Sequence, residues 1–256
     1  GYRAPNALAI AFLLPAFMFL IWLGREVFIA SGSVTTIRPI CGIALAIIIV
    51  FGRRAVWPIT SLVFFGGVIV RLAAGEPLWL ILWSSVNVAG CIAAVYFATS
   101  RLHRAKMEFH NWAFLLKFMV VCAVAAGASA VTYSLPVYGF GSAFWQSVKA
   151  WWVPTALSFP VFAPAIVLAV DGSSDLFARN KFKLAISMML VLAALAVDFS
   201  PRDIPALFLV PLALVIVALN CELEGASFGL LLTSVVLMAG TITGYSPTGR
   251  YAATMG

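Results

Sequence analysis

Lys117 is the ionisable side chain that lies deepest in an apolar run, five residues past Trp112. At about 1.5 Å per residue that is about 7.5 Å beyond the interface. A lysine stem snorkels that far, so a structural role is expected. Asp198 and Asp203 flank Arg202, and Glu222 and Glu224 border a tight turn; both groups suit solvated loops better than a proton relay. His103 and His110 stand seven residues apart, with no carboxylate in the HExxH spacing that a zinc site needs. They sit on and just after the basic stretch Arg101-Leu102-His103-Arg104-Ala105-Lys106, which suits anionic lipid headgroups. Cys41, Cys91, Cys122 and Cys221 are scattered through apolar runs without a CxxC pair and read as buried free thiols. Gly139-Phe140-Gly141-Ser142 reads as a loop tip, and the chain carries no P-loop, nucleophile elbow, paired catalytic carboxylates or dinucleotide fingerprint. The expectation is a chain that is not an enzyme, with no catalytic residue, metal site or cofactor.

The elements that would position these residues are membrane helices. Of the 256 residues, 63% are apolar and 10% charged, far from the composition of an ordinary soluble domain. The mean hydropathy is +1.07. A span needs roughly 20 apolar residues, and nine hydrophobic segments can be marked, at about 7–29, 35–52, 55–74, 78–100, 112–135, 145–170, 182–199, 204–220 and 225–243. The fold expected is an all-α polytopic helix bundle forming a single transmembrane domain, without a soluble one. The second segment is short enough to be re-entrant, protected by its neighbours. The first follows Arg3, and Gly24-Arg25-Glu26 offers no cleavage site, so it is read as a retained helix.

Sixteen Lys and Arg against nine Asp and Glu give +7, which a polytopic protein acquires from its inner loops without any nucleic-acid partner. When nine spans alternate, Arg3, Arg53, Arg54, Arg101, Arg104, Lys106, Arg179, Lys181 and Lys183 fall in clusters on one side. Arg25, Arg38, Arg71, Lys149, Arg202 and Arg250 fall singly on the other. The clustered side is predicted to be cytoplasmic, with the N-terminus, and the end of this chain periplasmic. Trp22, Trp57, Trp79, Trp83, Trp112, Trp145 and Trp151 mark span ends, while Trp152 is expected to face the bundle. Pro15 and Pro211 sit mid-segment and Pro154, Pro160 and Pro164 crowd the sixth, so kinks or broken turns are expected there. Small residues such as Gly66-Gly67 and Ala123, Ala126, Gly127 and Ala130 suit close helix packing.

Several phrases in order resemble the bacterial membrane-associated sensor domain of the MASE-one type. Arg38-Pro39-Ile40-Cys41-Gly42 is similar to its Trp-Pro-x-small-Gly helix start, Gly52-Arg53-Arg54 to its Gly-Arg-Arg turn, and Trp57-Pro58 to the opening of the next helix. Asn87 matches the Asn of an Asn-x-x-Glu helix. Trp151-Trp152 through Pro164 resembles a Trp/Gly-Asp/Pro helix, and Gly240-Thr241 with Gly244 and Pro247 resembles the closing stretch. The resemblance implies an inner-membrane input domain fused to a cyclase, phosphodiesterase or kinase, with a further helix returning to the cytoplasm. The chain departs from the pattern at Arg38 for Trp, Gly90 for the acid after Asn, Pro154-Thr155 for Gly-Asp, and Ser158 for Gly.

Two functions compete. One is the sensory input module of a signalling protein, with a signal pocket or coupling helix at Asn87, Trp152, Thr155 and Ser158 and an output domain as partner. The other is an accessory subunit docked in the membrane against a larger complex, favoured by the missing intramembrane acids. A transporter would need a polar midplane site and two similar halves, neither of which is legible.

Overall fold

The computed structural model describes residues 7–30, 38–102, 109, 111–170, 181–199 and 209–242. It contains α1 (Ala7–Ala30), α2 (Pro39–Phe51), a 3-10 turn (Arg53–Ala55), α3 (Val56–Ala73), α4 (Leu78–Leu102), α5 (Trp112–Tyr138), α6 (Ser142–Val170), α7 (Lys181–Asp198) and α8 (Leu209–Ile242). Among the described residues there is no strand, and the all-α bundle expected from composition is what forms. Among the described residues, four helical stretches are long and apolar enough to cross a membrane: Arg53–Ala73, Leu78–Arg101, Trp112–Tyr138 and Ser142–Val170.

The short second segment is the centre of the bundle. α2 has 13 residues and is apolar on all sides, the pattern of a helix with no solvated face. It packs against α1, α3, α4 and α6. Ile40, Cys41, Ala44, Leu45, Ala46 and Ile48 are buried in the largest core cluster, together with Phe17 of α1, Ile59 of α3, Ile92 of α4, Phe118 of α5 and Phe159 of α6. Small side chains at positions 41, 42, 44 and 46 let four neighbours approach one short rod. Pro39 occupies its first turn, where a missing N–H is harmless.

Tight turns set the helix pairing. Gly75, at φ +74°, ends α3 in a conformation that favours glycine. The N–H of Glu76 then returns to the Arg71 carbonyl at 3.2 Å. Asn111 caps α5, its side-chain oxygen accepting from the N–H groups of Ala113 and Phe114. Only Gly139 to Gly141 separate α5 from α6, the loop tip expected there.

Two expectations need correction. Of the kinks or broken turns expected in the sixth segment, the broken turn is not found: α6 is helical throughout Ser142–Val170 despite Pro154, Pro160 and Pro164. Pro154 cannot donate to the Ala150 carbonyl, and the Thr155 hydroxyl supplements the ladder one residue on, donating to the Trp151 carbonyl at 2.7 Å. Pro211 lies in the first turn of α8 rather than mid-span.

The eighth and ninth segments join in one hydrogen-bonded run, α8, yet this run folds back on itself. A Cβ on Gly229 would stand 2.9 Å from Leu214 Cδ2, fifteen residues earlier. A straight helix would separate those positions by about 22 Å. Val210, Ala213 and Val217 share a core with α7 and with Leu232 and Val236 of the returning half. The reversal falls around Asn220 to Gly225, where the sequence predicts a tight turn.

Candidate functional site

α2 starts within the bundle, and a polar interior surrounds its N-terminal end. Arg38, its N-cap, has no side-chain cap. The Gly42 N–H donates to Ser158 Oγ of α6 at 2.9 Å, and the Ser158 hydroxyl donates to the Arg38 carbonyl. Ser158 is therefore inserted into the first turn of α2, between a carbonyl and the N–H that would otherwise pair with it. Only glycine fits at 42: a Cβ would overlap the Ser158 carbonyl oxygen and lie 2.7 Å from Phe162 Cβ.

A cavity of about 910 Å³ lies at this end, within the usual size range of small-molecule sites. Arg25 of α1, Arg38, Arg71 of α3 and Lys149 of α6 all line it. Sequence reasoning places these four as single loop cations on one side of the membrane; the structure gathers them around one space. Glu76 is the acid lining it. Its carboxylate accepts from Arg71 Nη1 at 2.9 Å and lies 3.8 Å from Arg25 Nε, while Arg25 also pairs with Glu26 at 3.2 Å. Leu20, Ile21, Val63, Val70 and Val88 supply apolar wall.

The Arg38 guanidinium carbon stands 3.7 Å from the centroid of the Trp151 ring, a cation–π geometry. The other face of Trp151 carries Tyr133, stacked at 3.9 Å between centroids. The Trp151 indole N–H donates to Ser129 Oγ at 3.3 Å, and the Ser129 hydroxyl donates to Asn87 Oδ1. Asn87 Nδ2 in turn donates to Thr132 Oγ1 at 2.8 Å. A polar chain thus runs from the cavity wall through α6 and α5 into α4. Ser85 of α4 also lines the cavity; its Oγ is buried and has no hydrogen-bond partner.

None of the four residues expected at a signal pocket or coupling helix lines this cavity. Asn87 belongs to the network behind the cavity and Ser158 to the α2 crossing. Thr155 is buried and turned to its own helix backbone. Trp152 is 41% exposed, donating its indole N–H to the Ala123 carbonyl at 2.8 Å and covering Gly127. Trp151, assigned to the interface, is the buried one at 4%. The two tryptophans thus exchange the places expected for them.

Of the remaining motif residues, Gly52 ends α2 at φ +78°, and Arg53 and Arg54 are exposed in the turn that follows, at the end of the bundle opposite the cavity. Trp57 and Pro58 open α3, and Pro164 is buried in α6. Lys117 is exposed on α5, and all four cysteines are free and buried. His103, His110, Arg202, Asp203, Gly244 and Pro247 lie outside the described residues, as do the side chains of Asp198, Glu222 and Glu224. Among the described residues no cluster of His, Cys, Asp and Glu is arranged to hold a metal ion. No protein-family model, curated protein or solved structure matches the chain.

Proposed function

We propose that this chain is a non-catalytic input module of a bacterial inner-membrane signalling system, of the membrane-associated sensor type, receiving its signal at the cavity. The observation that carries this reading is the junction at Arg38. Its side chain forms cavity wall against Trp151, while its carbonyl is held by Ser158 at the α2–α6 crossing. A ligand that moves the guanidinium bears directly on the contact between the central helix and α6. Those two helices then form the element whose equilibrium the signal biases. On the positive-inside rule, the basic end with Arg53, Arg54 and Arg101 faces the cytoplasm and the cavity faces the periplasm.

The test is Ser158→Ala in cells that carry the native signalling partner. Removing one bridging hydroxyl alters the crossing by about 1 kcal/mol, which shifts a two-state output about fivefold. Gly90→Ala, at an exposed position with open space around it, leaves output unchanged. Unchanged output in Ser158→Ala, together with stoichiometric co-purification in mild detergent with a non-signalling membrane complex, would replace this reading with an accessory subunit.

A further inference from the structure

We infer that the cavity binds an amphiphilic oxyanion, a carboxylate or phosphate head on an apolar body, with the head held between Arg38, Lys149 and Ser85. The inference rests on the input-module reading for what binding achieves, and names the chemistry of the ligand.

The charge balance comes first. Four cations and one carboxylate line the space, a net +3, reduced to +2 by Glu26 beside Arg25. Glu76 and Glu26 engage Arg25 and Arg71, whereas neither Arg38 nor Lys149 has a carboxylate partner among the described residues. Arg38, set within the apolar bundle without counter-charge, is expensive there, and such a cation ordinarily marks a pathway or a ligand site; Lys149 stands exposed at the rim of the same space.

Arg38 is also the wrong sign for its position. It caps the N-terminus of a 13-residue helix, the positive end of the helix dipole, where an anion is favoured and a cation is not. An oxyanion there answers the dipole and the guanidinium together. Stacking on Trp151 occupies one face of the guanidinium and fixes its plane, leaving its edge N–H groups for in-plane, two-point bonding of an oxyanion.

A second, independent observation points the same way. Ser85, a residue 3% exposed, is among those lining the same cavity, and its Oγ, packed beneath the wall, has no hydrogen-bond partner. Gly67 opposite leaves room for it, since a Cβ there would come within 2.9 Å of that oxygen. A buried hydroxyl normally has a partner, and an oxyanion supplies an acceptor for its proton. The walls of Leu20, Ile21, Val63 and Val88 suit an apolar body rather than bare phosphate.

The experiment uses the full chain in phosphatidylcholine nanodiscs, with hexanoate and inorganic phosphate as probes, read by calorimetric titration. Saturable hexanoate binding, tighter than that of phosphate, is expected. Arg38→Gln and Lys149→Gln each weaken it about tenfold, the loss of a charge-assisted hydrogen bond. Ser85→Ala weakens it about threefold, and Arg101→Gln at the opposite end leaves it unchanged. Lys149 is exposed, so its variant reports even if Arg38→Gln misfolds. If neither soluble probe binds, but phosphatidylglycerol in the disc raises the thermal stability of the native chain and not of Lys149→Gln, the head belongs to a lipid and the inference stands. Absence of both responses, or binding in Lys149→Gln within twofold of the native chain, overturns it. Anion binding intact in a chain whose cellular output ignores the ligand would count against the input-module reading alone.

Discussion

Replacing Gly42 by alanine tests the α2–α6 crossing with one methyl group. The added Cβ would lie 2.7 Å from Phe162 Cβ, against ordinary contact from 3.4 Å, and would overlap the Ser158 carbonyl oxygen. The helices must therefore separate by about 0.7 Å or more, an overpacking cost of about 1–3 kcal/mol. Separation also breaks the hydrogen bond from the Gly42 N–H to Ser158 Oγ and the one from that hydroxyl to the Arg38 carbonyl. Because the freed N–H of residue 42 and the Arg38 carbonyl can pair with each other, the two bonds together count about 1 kcal/mol, and the total is about 2–4 kcal/mol. Ser158→Ala removes the hydroxyl alone, and the Gly42 N–H can then turn to the Arg38 carbonyl within its own helix, so the expected loss is about 1 kcal/mol. Combining the two changes does not rescue Gly42→Ala, because the overlap is with Ser158 backbone. Unfolding in mixed detergent and dodecyl sulfate micelles measures all three, with Gly90→Ala as the control for a methyl added in open space, expected to gain up to about 1 kcal/mol from helix propensity. Native-like stability of Gly42→Ala, within about 0.5 kcal/mol, would refute the crossing.

Trp151→Phe loses the bond to Ser129 and part of the Arg38 stack, about 2 kcal/mol, whereas Trp152→Phe loses one peripheral bond, about 1 kcal/mol or less; the same titration ranks them. With the four native cysteines replaced by alanine, Leu214→Cys and Gly229→Cys should cross-link readily under mild oxidation. A straight α8 would hold them about 22 Å apart and give no product on a non-reducing gel. Arg38→Met should keep stability within about 1 kcal/mol of native, since the lost cation–π contact is offset by relief of an unfavourable cation at a helix N-terminus. A loss above about 3 kcal/mol would make the guanidinium a structural group.

How far the sequence reaches is visible in individual residues. Helix type and approximate limits follow from long apolar runs, because a bilayer leaves a backbone little else to form. Gly42 and Ser158 are both recognisable as special, but their contact spans 116 residues, and no local pattern pairs them. Arg25, Arg38, Arg71 and Lys149 are legible as cations on one side, since alternation of spans fixes sides. Their convergence depends on lateral helix order, which hydropathy does not encode. Trp151 and Trp152 are adjacent and differ by about 100° of helical phase. Which one is buried is decided by Tyr133, Ser129 and Arg38 on other helices. The prolines do not break α6 because a packed helix tolerates carbonyls left without a donor N–H better than an isolated one does.

The brevity of α2 links fold to site. Thirteen residues make about 20 Å, some 10 Å less than a hydrocarbon core of about 30 Å. Gly52 and the Arg53–Arg54 turn lie at one end of the bundle, and a helix of this length extending from there would stop short of the far side of such a core. Its N-terminal dipole and the Arg38 side chain are therefore set inside the bundle rather than in water. A longer helix would carry Arg38 outward and close the space that Arg71 and Lys149 share with it. A shorter one would lose the Gly42–Ser158 crossing that anchors it. The length that fits the crossing is also the one that leaves a positively charged recess. Replacing Arg38 separates these two properties: the crossing uses only its backbone carbonyl, whereas the recess depends on its side chain.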